Sequence, residues 1–136
     1  MKAVKGSRML VLALALMAVL VFSAQSVLAA DGTFNVSVYH GINGRSLGLS
    51  KELPVDVEIW KDGALLARVN DFTFKTRIDT ALPAGTYEIR VFADELGGAQ
   101  INSMTVGPVE IPEGVNLRLH AKLGEGKTPI IQVKVK

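Results

Sequence analysis

The chain has 136 residues, 49% of them hydrophobic, with 15 basic and 13 acidic side chains and no cysteine. The missing cysteine excludes disulfides, thiolate metal sites, a thiol nucleophile and a lipid-bearing cysteine at a processing site. A net charge of +2 excludes little until the first segment is read, because that segment carries much of it.

Residues 1–29 have the three parts of a secretory signal peptide. Lys2, Lys5 and Arg8 open it, Met9 to Phe22 form an uncharged apolar run, and Ser23, Gln25 and Ser26 lead to Val27-Leu28-Ala29. The apolar run is shorter than the ~20 residues that span a bilayer, and small side chains sit where a signal peptidase needs them. Cleavage near Ala29 predicts an exported domain at 30–136 with no stable membrane span. Export removes three basic residues, leaving 12 against 13 acidic ones, a net charge of −1. That balance gives no summed electrostatic footprint for nucleic acid or anionic lipid.

The remaining 107 residues suffice for one core. They alternate with period two: Phe34-Val36-Val38, Val55-Val57-Ile59, Tyr87-Ile89-Val91 and Val115-Leu117-Leu119 face one way, with polar or aromatic residues between. This is the pattern of half-buried antiparallel strands. Strands are predicted near 33–40, 55–60, 64–69, 76–82, 86–93, 104–111, 115–121 and 128–135. Lys61-Asp62-Gly63, Pro83-Ala84-Gly85 and Pro112-Glu113-Gly114 read as tight hairpin turns with glycine at positive φ. Strands of this number and spacing predict an all-β, immunoglobulin-like antiparallel β-sandwich of about seven to eight strands. If each strand reverses direction, the three tight turns share one end. The connections 41–54, 70–75, 94–103 and 122–127 then share the other, and long loops on a rigid frame are where recognition usually lies.

The pieces Val38-Tyr39-His40-Gly41, Pro54-Val55-Asp56-Val57, Lys61-Asp62-Gly63 and Leu82-Pro83-Ala84-Gly85-Thr86-Tyr87-Glu88-Ile89-Arg90-Val91 occur in this order. Their succession, over roughly residues 34–121, resembles the secreted β-sandwich family known as domain of unknown function 4397. The resemblance implies an extracellular or cell-surface sandwich and no particular activity. The long 41–54 loop and two extra residues before Asp62 depart from that family's spacing.

The motifs that suggest chemistry read as structural. Gly44-Arg45-Ser46-Leu47-Gly48 has the form of a hydrolase nucleophile elbow, but no helix follows to present the Ser46 hydroxyl. Gly124-Glu125-Gly126-Lys127-Thr128 ends like a phosphate-binding loop, yet Ala121 stands where glycine is required and Pro129 leads into a strand. His40 and His120 both end strands that run toward the long-loop end, but on opposite faces, and they are too few ligands for zinc. His40 is expected to cap a loop carbonyl and His120 to be solvated. Glu52, Asp71, Asp94, Glu95 and Glu125 lack the spacing of a calcium loop and read as solubilising charges. Trp60 falls on the outward face beside Asp56 and Glu58, placed to cover a cross-strand neighbour or to anchor a ligand. Asn35-Val36-Ser37 is a glycosylation sequon within a strand.

These readings predict a secreted or cell-surface, noncatalytic binding or adhesion module without cofactor or metal. Its partner is an extracellular protein or glycan, not nucleic acid. The candidate ligand-binding residues are His40, Asn43, Arg45, Ser46, Asp71, Asp94, Glu95 and Trp60. The alternative is a structural subunit of an extracellular assembly, self-associating through the β-branched run Pro129–Lys136 by strand addition. A small hydrolase using Ser46 or a carboxylate ranks below both.

Overall fold

The computed structural model describes residues 31–136; the segment 1–29, read above as a signal peptide, lies outside the described residues. Nine strands form in chain order: β1 Thr33–His40, β2 Val55–Lys61, β3 Ala64–Phe72, β4 Arg77–Pro83, β5 Gly85–Ala93, β6 Ala99–Gln100, β7 Val106–Ile111, β8 Asn116–Leu123 and β9 Pro129–Val135. They make two sheets, one in the order β4-β1-β8-β9 and one in the order β3-β2-β5, with β6 and β7 both pairing β5. The described residues contain no α-helix, and the fold is a β-sandwich.

The eight predicted strands are all present, and β6 is the addition. β6 meets Phe92 and Ala93 while β7 meets Gly85 to Ile89, so the two follow one another along a single edge of β5. A 3-10 turn, Asn102–Met104, interrupts that edge and drops Met104 into the core. The period-two pattern carries no mark of the break, because Met104 obeys the apolar rhythm while leaving the ladder.

The turns divide differently from the expectation. Asp62-Gly63 closes a true β2–β3 hairpin, with both residues at positive φ (51° and 85°) as a type I′ turn demands. Pro83-Ala84-Gly85 and Pro112-Glu113-Gly114 are not hairpins: the first carries the chain from β4 to β5 and the second from β7 to β8, each between sheets. Gly85 has no positive φ; it is an extended strand residue packed against the Lys61 side chain. All three turns nonetheless share one end. The Asp62 amide donates to the Thr86 carbonyl at 2.7 Å, and Ala84 and Gly114 donate to Gly32 and Thr33 at 2.8 and 2.9 Å.

One pair departs from the antiparallel expectation. β1 lies between β4 and β8, antiparallel to the first and parallel to the second. Because β6 and β7 run the same way along β5, β1 and β8 leave the tight-turn end together. The first two strands stand in different sheets, whereas in an immunoglobulin constant domain they share one. The architecture is thus that of the expected sandwich, with a connectivity of its own.

Two apolar clusters fill the space between the sheets. Phe34, Val36, Tyr87, Ile111, Leu117 and Leu119 pack toward the tight turns. Ile42, Leu53, Val55, Val57, Phe72, Val91, Ala93, Met104 and Ala121 pack toward the long loops. Tyr87 meets Phe34 edge-on at a centroid distance of 5.3 Å, and its hydroxyl donates to the Pro83 carbonyl at 2.6 Å. The ring is buried in β5 while its tip reaches back over the β4–β5 corner, so one side chain anchors a crossing between sheets. Burial, and then the nearby Asp62 charge, raise the phenol pKa well above its ordinary value, so Tyr87 remains a donor. Tyr87→Phe is expected to lower unfolding stability by about 1–2 kcal/mol in denaturant titrations, the cost of a carbonyl left without its donor.

Candidate functional site

The predicted recognition end is built on the 41–54 connection, which crosses from β1 to β2 and is folded throughout. Asn43 caps the 3-10 turn Gly44–Leu47, its side-chain oxygen accepting from the Arg45 amide at 3.0 Å. Ile42 and Leu53 are buried at the loop's two ends, and Leu47 and Leu49 pack partly against the core. Gly44 is required by close approach: a methyl group there would land on the Ser50 carbonyl oxygen. The Gly44 amide donates to Lys51 and the Leu49 amide to Gly44, closing the loop on itself. The apolar residues that a strand-seeking reading passes over therefore fix it.

His40 is the hinge of this end. It is 2% exposed at the end of β1, with its Nε2 2.9 Å from the Leu53 carbonyl and its Nδ1 accepting from the Ile42 amide at 3.3 Å. An amide donor at Nδ1 requires the proton on Nε2, which donates to Leu53; the ring is neutral with both nitrogens committed. Burial depresses its pKa against the opposing effect of the Leu53 carbonyl. The ring packs against Phe72 and Phe74 at 5.7 and 6.4 Å. The structure gives His40 the capping role expected of it, buried beneath the long-loop end rather than exposed on it.

The carboxylates split into two groups. Glu95 accepts from the Ser50 amide at 2.9 Å and from the Ser50 hydroxyl, which ties the 41–54 loop to the turn after β5. These bonds hold its pKa below the ordinary carboxylate range. Asp71 and Asp94 converge with Asp56, which sequence reasoning assigned only to the outer face of its strand; one oxygen of each lies within 4.8 Å of the others. Asp71 stands at φ 56°, and its amide donates to Asp56 at 3.1 Å. Asp56 also pairs with Arg68 at 2.9 Å, so both of its oxygens are engaged. Partial desolvation, then the charges of Asp56 and Asp71, raise the Asp94 pKa. The trio is a strained junction of β2, β3 and the β5 turn. No period-two pattern reveals it, because Asp56 and Asp71 meet only through the β2–β3 bulge.

The other candidates fall into place separately. Arg45 and Ser46 are exposed on the 3-10 turn, and neither side chain has a polar partner among the described residues. With both His40 nitrogens engaged, the imidazole nearest Ser46 in sequence is unable to serve it as a base. His120 lies on the outer face, edge-on to Tyr39 at 5.2 Å, while His40 points inward from the adjacent strand. Residues 124–128 close the β8–β9 hairpin, the Gly124 amide donating to Thr128 at 2.7 Å. Trp60 is remote from the long loops: Nε1 donates to Glu58 at 3.0 Å and Arg90 stacks over the ring at 4.3 Å. It belongs to a charged lattice on the outer face of β3-β2-β5 and covers a cross-strand neighbour.

No family model matches the chain, and no curated protein matches it. The resemblance to domain of unknown function 4397 thus rests on the short motifs alone. Among solved structures, the chain is similar to a putative cell adhesion protein from Bacteroides uniformis, with 12% identity and a TM-score of 0.46. The likeness covers 77% of this chain and 50% of that protein, so this chain spans about half its length. No helix of the described residues is long and apolar enough to cross a membrane.

Two outcomes test the geometry of this end. His40 has a folded pKa below its unfolded value of 6.5. Its contribution is complete above that value and is lost as pH falls toward the folded pKa, so thermal melts should show stability declining from neutral into mildly acid buffer. His40→Ala should cost about 3 kcal/mol at pH 7.5, from a cavity and two unpaired backbone groups, and should flatten that pH dependence. Asp94 carries the opposite sign: its raised pKa penalises the fold above that pKa, so Asp94→Asn should raise the melting temperature at neutral pH. The gain should disappear in acid, where Asp94 is protonated in both states.

Proposed function

We propose that this protein is a secreted or cell-surface, noncatalytic binding module that recognises an extracellular protein or glycan through the long-loop end. One observation carries the reading: the 41–54 loop is fixed by Ile42, Leu53 and the His40 imidazole, yet it presents the Arg45 and Ser46 side chains without polar partners among the described residues. A surface already ordered loses little conformational freedom on binding. Its polar side chains are free to meet a ligand, and Asp71 and Asp94, at the same end, supply further acceptors. The signal-like features of residues 1–29 support export. The engaged His40 and the lone Ser46 hydroxyl support a noncatalytic role. The adhesion description of the similar Bacteroides protein is compatible with this reading but too distant to support it.

A second reading, a subunit assembled by strand addition, has its own observation. β9 completes its own sheet by pairing with β8, so its outer edge is unpaired among the described residues. Beside it opens a cleft of about 160 Å³ between β7 and β9, walled by Ile111, Leu117, Val109, Val133 and Val135, with the last three exposed. Inward-pointing valines left bare at a sheet edge invite a further strand.

Screening the exported protein against glycan and envelope-protein arrays separates the two. The binding reading expects a ligand whose retention falls at least tenfold on Arg45→Ala/Ser46→Ala, with the protein monomeric throughout. Concentration-dependent assembly in sedimentation, abolished by Val133→Lys, would favour the subunit. Retention indifferent to the loop substitutions would overturn the first.

A further inference from the structure

The near-neutral sum of charges conceals a segregation by face. The outward residues of β4-β1-β8-β9 alternate with the buried Leu117, Leu119 and Ala121, which places Arg118, Lys122, Lys134 and Lys136 together on the outer surface of β8 and β9. None of the four has a carboxylate within salt-bridge distance among the described residues. The face's carboxylate, Asp79, sits two strands away on β4 and is paired with Arg77 at 3.2 Å. On the outer face of the opposite sheet, by contrast, Asp56, Glu58 and Glu88 pair with Arg68 and Arg90; on the basic side Glu125 lies in the β8–β9 turn, beyond the four cations.

Within the basic face, Arg118 stands directly opposite Lys134 in the β8–β9 ladder. Like charges in register destabilise a sheet, and nothing on this face offsets the cost, whereas every cation of the opposite face named above has its carboxylate. The four cations extend from the level of Lys136, paired with Asn116, to that of Lys122, a track of ~20 Å at the rise of a strand. Among them the two strands present the amides of Asn116, at the level of Lys136, and Gln132, which faces the His120 imidazole across the ladder.

We propose that this face binds a linear acidic polysaccharide, its carboxylates on the four cations and its hydroxyls on the intervening amides. A straight, narrow track of four cations, with two amides and the His120 imidazole among them, suits an extended polymer of sugar acids lying along the strands. Single-stranded nucleic acid needs aromatic faces for stacking, and Tyr39 is held edge-on by His120. A membrane surface needs apolar side chains projecting with the cations, and among the outward residues of β8 and β9 Ile130 is alone in that role. The choice of polymer rests on the exported location proposed above. The surface itself is separate from the long-loop end, so substitutions distinguish a failure here from a failure there.

The test is biolayer interferometry of the exported protein on polygalacturonate, with dextran, duplex DNA and phosphatidylglycerol-rich vesicles as comparisons. Polygalacturonate should bind in a salt-dependent way and dextran should not. Arg118→Thr/Lys134→Thr should weaken binding about tenfold or more and flatten the salt dependence, since each neutralised contact releases fewer counterions. The same variant should melt no lower than the parent, having lost a like-charge pair, and Arg45→Ala/Ser46→Ala should bind polygalacturonate unchanged. Equal binding to dextran, tighter binding to DNA or vesicles, or polygalacturonate binding indifferent to the Arg118/Lys134 substitutions would each overturn the proposal.

Discussion

The long-loop end depends on the buried imidazole of His40. The chain leaves one sheet for the other four times, twice at each end, and without cysteine no covalent bond secures any crossing. At the long-loop end both crossings converge on His40. Its ring holds the Leu53 carbonyl of the first, while its backbone exchanges bonds of 3.0 and 2.8 Å with Thr76 and Lys75 of the second. The two connections also meet directly, the Phe74 amide donating to Glu52 at 2.8 Å. A neutral imidazole suits this junction because it donates at one nitrogen and accepts at the other, within a shell of Phe72 and Phe74 where a charged group would be costly.

The opposite end solves the same problem with different chemistry. There the crossings are short, and Tyr87 anchors one of them from inside the core while the Gly32 and Thr33 carbonyls receive both. Short crossings leave no room for a presented loop. The asymmetry between ends therefore follows from one connection: the crossings at 73–76, 84 and 112–115 are short, whereas the long 41–54 arch needs its own apolar residues and then has exposed positions to spare. That is the physical basis for proposing recognition at the 41–54 loop.

The two outer faces differ as well. The face of β3-β2-β5 neutralises itself, with Arg68 bridging Asp56 and Glu58 across strands and Arg90 held by Glu88 over Trp60. The face of β8 and β9 leaves its cations unmatched. Self-neutralisation stiffens a sheet and removes it from electrostatic competition; an unmatched track costs stability and attracts counter-charge.

Residue order alone determined eight of the nine strand positions among the described residues, the two-sheet sandwich and the gathering of the tight turns at one end, because alternation and turn chemistry are local and the two ends follow from reversal at each predicted strand. It also marked His40 as a cap, since a histidine continuing the apolar face of Phe34-Val36-Val38 has to find a partner inside. Tertiary structure decided what local patterns do not encode. Whether Pro83-Ala84-Gly85 closes a hairpin or crosses between sheets depends on which strand lies beside β5, and the parallel β1–β8 pair joins segments far apart in the chain. The junction of Asp56, Asp71 and Asp94 and the facing of Arg118 with Lys134 arise from cross-strand register. Register, not composition, turned a chain of nearly balanced charge into one with a neutralised face and a basic one.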